Sequence, residues 1–173
     1  MTIAPAMTSP PPSTAAAVSN EFLALSAVET GAPAIDQMKL QKLLFYSHAW
    51  HLAYDQGALF ENDIEAWPWG PVVRDVYVQT RDYGRGPVTS KLWEFGREGD
   101  AFNVIVPNGV SDALKPFIRS VWDSLKGYTG IQLSNSTHAP GEPWTIIAEK
   151  VGTGSKPIIP NELIAEVFKR KLP

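Results

Sequence analysis

Apolar positions along the chain fall into helical runs broken by Pro and Gly. Asn20 can cap a first helix, with Glu21 at its positive end and Phe22, Leu25, Ala27 and Val28 on its apolar face. Gly31 and Pro33 stop it. Asp36 can cap a second helix from Gln37 to Tyr54. Its apolar residues, Leu40, Leu43, Leu44, Trp50, Leu52 and Tyr54, cover more than one stripe, which predicts a central, buried helix. Asp63 to Trp67 alternates apolar Ile64 and Ala66 with acidic neighbours, a short strand signal. Gly70 as N-cap and Pro71 at the first helical position then predict a third helix from Val72 to Tyr83.

The periodicity of residues 88–100 selects no element, whereas Ala101 to Val106 predicts a strand closed by Pro107-Asn108-Gly109. Val110, Leu114, Phe117, Ile118, Val121, Trp122 and Leu125 have helical spacing, and Pro116 requires that this helix either start or kink there. Further helices are predicted over Thr129–Thr137, Trp144–Ala148 and Asn161–Lys171, with a Gly-rich loop from Val151 to Pro157. These elements predict an α+β fold that is mostly α-helical: a compact helical domain with a small antiparallel β-sheet. No internal repeat is visible.

Composition changes this picture at the N-terminus. Met1 to Val18 is rich in Pro and Ala and carries no charged side chain. It predicts a disordered tail over residues 1–18 and a single domain over 19–173. A formal net charge of −3 supplies no global field for nucleic acid. The absence of cysteine excludes disulfides, thiolate metal sites and Cys nucleophiles. No secretory leader pattern and no apolar run of about 20 residues is present, so the expected location is the cytoplasm, without membrane association.

Candidate chemistry is sparse. His48 and His51 share a helical face, and a metal would need a third ligand; with nearby acids, His48, His51 or His138 would be the basis of a metal- or His-dependent hydrolase. Lys39 and Lys42, three apart, either pair with Glu61, Asp63 or Glu65 or await a partner's acid. Those three acids have the spacing of one solvated edge, poor for acid–base work. No nucleophile elbow, phosphate-binding loop or dinucleotide fingerprint occurs. Arg81, Arg85, Lys91 and Arg97 are the residues a DNA-binding autoregulator would use. Trp50 and Trp122 have core spacing, whereas Trp67, Trp69 and Trp93 flank loops and suit an interface.

The blocks from Met38 to Ala53, Leu59 to Tyr77 and Tyr83 to Val88 resemble the Panacea domain of SocA-like bacterial antitoxins. Thr137-His138 followed by Pro143-Trp144, and the stretch from Ile158 to Ile164, extend the resemblance over roughly Glu21 to Phe168. It implies a small helical domain that neutralises a cognate toxin by direct protein–protein binding. In the SocA branch it further implies an adaptor that delivers its toxin to a ClpXP-type AAA+ protease. No catalytic residue, metal or cofactor is implied. The motif positions carried over divide into toxin-facing candidates Lys39, Lys42 and His138, joined by His51, Trp67 and Trp69, and structural positions Trp50, Gly70, Pro71 and Trp144.

Overall fold

The computed structural model describes residues 12–173, so most of the expected N-terminal tail lies outside the described residues. Helix α1 (Ala15–Ala27) begins earlier than the Asn20 cap predicted, with Thr14 Oγ1 accepting from Ala17 N at 3.1 Å. Ala15 to Val18, expected in the tail, are helical and buried. The run Ala15-Ala-Ala-Val18 has strong helix propensity and is small enough to pack closely, a possibility that the absence of charge concealed. Asn20, freed from capping, lies buried inside α1.

Helix α2 (Gln37–Ala53) starts at Asp36 as expected, Asp36 Oδ1 accepting from Lys39 N at 2.7 Å. It is the axis of the molecule. α1, α3 (Arg74–Thr80), α4 (Lys115–Leu125), α5 (Gly130–Thr137) and α7 (Asn161–Lys169) all pack on it. Enclosure on every side explains why its apolar residues cover more than one stripe. The core runs through Leu40, Leu43, Leu44, Phe45 and Ala49, with Phe22 against Trp122 on one flank. On the other flank Phe168 of α7 meets Phe45, Tyr46 and Trp50 edge-on.

Two separate two-stranded antiparallel sheets, rather than one small sheet, complete the described residues. β1 (Glu65–Trp67) pairs with β2 (Gly70–Val72), and β3 (Glu94–Glu98) pairs with β4 (Ala101–Ile105). The helix predicted from Gly70 is thus corrected: Gly70 and Pro71 are strand residues, and α3 begins three residues later. Pro71 lies opposite Ala66, whose own N–H turns outward to Pro157 O at 2.7 Å. At such a position the strand needs no donor from residue 71, so proline is tolerated. A 3-10 turn over Arg81–Tyr83 follows α3.

Pro116 sits at the start of α4 and introduces no kink. Thr129 and Gln132 form a reciprocal capping box on α5, and Gly130 there lets α5 approach α2, since a Cβ would stand 2.6 Å from Lys39 N. α6 (Pro143–Val151) links α5 to α7.

Three side-chain amides join the helices to the irregular segments, each gripping both the N–H and the C=O of a single residue. Asn20 Oδ1 accepts from Leu92 N at 2.7 Å while its Nδ2 donates to Leu92 O at 2.9 Å and Pro107 O at 2.7 Å. Gln41 holds Val73 at 2.8 and 3.1 Å, and Gln79 holds Trp93 at 2.9 Å in both directions. Each amide thereby satisfies backbone groups that have no ladder partner.

Candidate interaction surface

The β1–β2 hairpin turns through Pro68 and Trp69, and helices hold it from beneath by its backbone. Trp144 Nε1 of α6 donates to Trp67 O at 2.7 Å, Ser134 Oγ of α5 to Trp69 O at 2.9 Å, and Lys42 Nζ of α2 to Pro71 O at 3.2 Å. Gly70 has φ +112°, and a Cβ there would stand 2.8 Å from Lys42 Nζ. Both the conformation and the contact therefore require glycine. His138 Nδ1 donates to Ser134 O at 2.6 Å, and its ring lies 3.9 Å from that of Trp144. His138 thus positions Trp144, which in turn positions the hairpin.

The two tryptophans of the turn have opposite surroundings. Trp67 donates through Nε1 to Glu65 Oε2 at 2.6 Å, and Glu65 also accepts both Nε and Nη2 of Arg74. The Trp67 ring is flanked by Tyr77 at 4.7 Å, Arg74 at 5.5 Å and Lys156 at 4.0 Å. It is a fixed, half-covered platform. Trp69 is 74 % exposed, although its carbonyl is held. Ile131, one turn before Ser134 on α5, is also exposed. An indole presented on an immobilised backbone loses little entropy on association, which suits recognition.

Three of the expected toxin-facing residues are interior. Lys39 is 0 % exposed and Lys42 1 %. Neither pairs with Glu61, Asp63 or Glu65. Lys39 Nζ donates to Pro33 O at 2.9 Å and to Lys126 O, at the end of α4, at 2.7 Å; it also lies 5.3 Å from the Trp122 ring. Burial lowers its pKa and Asp36 raises it. The carbonyl end of α4 is a natural seat for a cation. Among the described residues Lys42 Nζ has only the Pro71 carbonyl, and burial lowers its pKa to about 7. The correction has a common cause: α2 is covered all round, so its lysines must satisfy backbone carbonyls inside the protein.

His51 is buried too, donating from Nδ1 to Gly57 O at 2.7 Å. His48 Nε2 meets Asn161 Oδ1 at 2.9 Å and its ring packs 4.4 Å from Phe60. Donation to Asn161 leaves His48 Nδ1 a buried acceptor with no partner among the described residues. Burial pushes its pKa down to about 4, the Asn161 bond opposing and nearby His51 reinforcing the shift. The imidazole is thus held neutral and shielded from solvent. Among the described residues no group of three or more His, Asp or Glu could hold a metal ion.

Arg81, Arg85, Lys91 and Arg97 are exposed, with Arg81 beside Asp82 and Arg97 beside Asp100. No described helix is long and apolar enough to cross a membrane. What the sequence pattern did not reveal is the trio of amide clamps, because a buried Asn or Gln looks like any polar exception on a helix. It also concealed the environment of residues 93–106: Phe95 is 70 % and Phe102 75 % exposed.

Comparison with curated proteins and with solved structures returns no match. The family model described as antitoxin SocA-like, Panacea domain, matches residues 40–145. The match runs from the buried axis of α2, through the tryptophan hairpin, to the start of α6, and so includes the backbone anchors of Trp69. With more than half of its residues inside that match, the chain belongs to the Panacea-domain family of SocA-like antitoxins.

Proposed function

We propose that this chain is the antitoxin of a bacterial toxin–antitoxin pair, acting in the cytoplasm, and that it neutralises its cognate toxin by direct binding through the face centred on Trp69. The observation carrying the choice of face is an indole 74 % exposed on a hairpin whose carbonyls are held by three helices. Trp67 and His138 serve this face from below, and Lys42 acts through Pro71. Family membership supports the antitoxin role. The reading needs no catalysis, and the burial of His48 and His51 speaks against a hydrolase.

In its adaptor form, the reading has the bound toxin handed to a ClpXP-type AAA+ protease. Co-expression with the product of the adjacent gene tests the first step. Growth is expected to be rescued by the wild type and not by Trp69→Ala, with equal folding of both. A harmless neighbour, or full rescue and complex formation by Trp69→Ala, refutes the assignment. The toxin's half-life in cells with and without this protein separates delivery from occlusion; an unchanged half-life removes the adaptor.

A further inference from the structure

Residues 93–106 form an arm whose base Asn20 closes by bonding Leu92 on one side and Pro107 on the other. Trp93, just before β3, and Phe95 within it share a face with Phe102 and Val104 of β4 by the register Phe95↔Val104 and Arg97↔Phe102. All four are exposed, so this face of the arm is largely apolar and uncovered, with Arg97 lying over Phe102 at its tip.

The edge of β3 is open as well. Gln79 takes both the N–H and the C=O of Trp93, which therefore point away from β4. Alternation in an antiparallel ladder turns the same groups of Phe95 and Arg97 to that outer side. Proteins normally blunt such an edge. Here a cavity of about 440 Å³ runs beside it, between β3, α3 and the start of α1. Asp75 and Glu94 line this cavity. Asp75 accepts only from Asn62, and one carboxylate oxygen of Glu94 is buried with no partner among the described residues. Among the described residues the lining of the groove is thus apolar and acidic, with no cationic side chain in it. It lies on the flank of α3 opposite Arg74 and Tyr77, which face Trp67.

We propose that this groove is a second docking site, which binds an extended, basic segment of a partner protein as an added strand on β3. Its backbone would pair with Phe95 and Arg97, its apolar side chains would enter the cavity, and a lysine or arginine would meet Glu94 and Asp75. A second copy of this chain fits less well. Its own β3, Glu94-Phe-Gly-Arg-Glu98, would bring acids against acids.

The test uses the full chain and a capped, fluorescein-labelled octapeptide of alternating valine and lysine, followed by anisotropy. Binding is expected, with amide exchange slowed at Phe95 and Arg97 but not at Gly96, already engaged with β4. A glutamate-for-lysine peptide is expected not to bind. Glu94→Gln with Asp75→Asn, which preserve shape, should weaken the lysine peptide about tenfold or more. Arg97→Pro, which removes an outward N–H and no ladder bond, should do the same. No binding at about millimolar peptide overturns the proposal. So do equal binding of the glutamate peptide, unchanged affinity in both variants, or binding without protection at Phe95 and Arg97. A concentration-dependent dimer abolished by Arg97→Pro would assign the edge to a second copy. A large gain in affinity on deleting residues 1–11 would assign the groove to the chain's own N-terminal segment. Either result refutes the partner assignment.

Discussion

Lys42→Met is expected to stabilise the protein near neutral pH, although it removes a hydrogen bond. The Lys42 amine is buried and has, among the described residues, only the Pro71 carbonyl, at 3.2 Å. Burial takes its pKa from 10.5 to about 7. Each unit corresponds to about 1.4 kcal/mol, so keeping this amine inside costs on the order of 4–5 kcal/mol at pH 7 relative to the unfolded chain. The cost follows from the unfolded chain taking up a proton below about pH 10.5, which the folded chain takes up only near pH 7. Wild-type stability therefore gains about 1.4 kcal/mol per pH unit from this group as pH rises from 7 toward 10.5, and nothing below 7. Methionine matches the length of the lysine stem and removes the titration. Loss of the bond to Pro71 and its unsatisfied carbonyl returns about 2 kcal/mol. The net expectation is a gain of about 2 kcal/mol at pH 7 that vanishes near pH 9. Urea unfolding followed by tryptophan fluorescence over this pH range measures it. A Lys42→Met protein less stable than wild type at pH 7, or a difference between the two that does not change with pH, refutes the reasoning.

On the acid side, His48 is expected to withdraw up to roughly 3 kcal/mol of stability as pH falls from 6.5 to about 4, because the unfolded imidazole protonates first. His48→Gln, which keeps a donor for Asn161, should flatten that part of the stability–pH curve. Gly70→Ala should destabilise by about 2 kcal/mol or more in thermal unfolding, because it combines a positive φ with a contact on Lys42. Asn20→Ala breaks three bonds with Leu92 and Pro107. It should cost about 2–4 kcal/mol and raise amide exchange across residues 93–106 above that of α2.

Much of the helical frame was legible in the sequence because its signals are local. Asp36 caps α2, Pro116 starts α4, and the helix expected over Thr129–Thr137 is α5. Each of these signals acts within one turn of its own residue. Gly70-Pro71 misled for the same reason. As a local signal it reads as a helix start, and only the pairing with Ala66 and Trp67 makes it a strand. Asn20 and Ala15–Val18 were misassigned because burial in α1 depends on Leu92 and Pro107, far along the chain. The candidate site was half legible. Trp69 was expected beside a loop from its Pro and Gly neighbours, and it lies exposed in the hairpin turn. Position on a helix could not tell Lys39 and Lys42 from surface lysines, since the carbonyls they serve come from residues 33, 71 and 126.

The hairpin under Trp69 is attached to the helices through carbonyl oxygens, which every amino acid has. Ser134, Trp144 and Lys42 grip the chain without reading side chains 68 and 69. Substitution at these two positions therefore changes what the tip displays without loosening its mounting. On the proposed reading, in which this tip meets the toxin, specificity would be exchanged there one residue at a time while the grip beneath stays as it is. A library confined to Pro68 and Trp69, selected against unrelated toxins, puts that consequence of the proposal to a direct test.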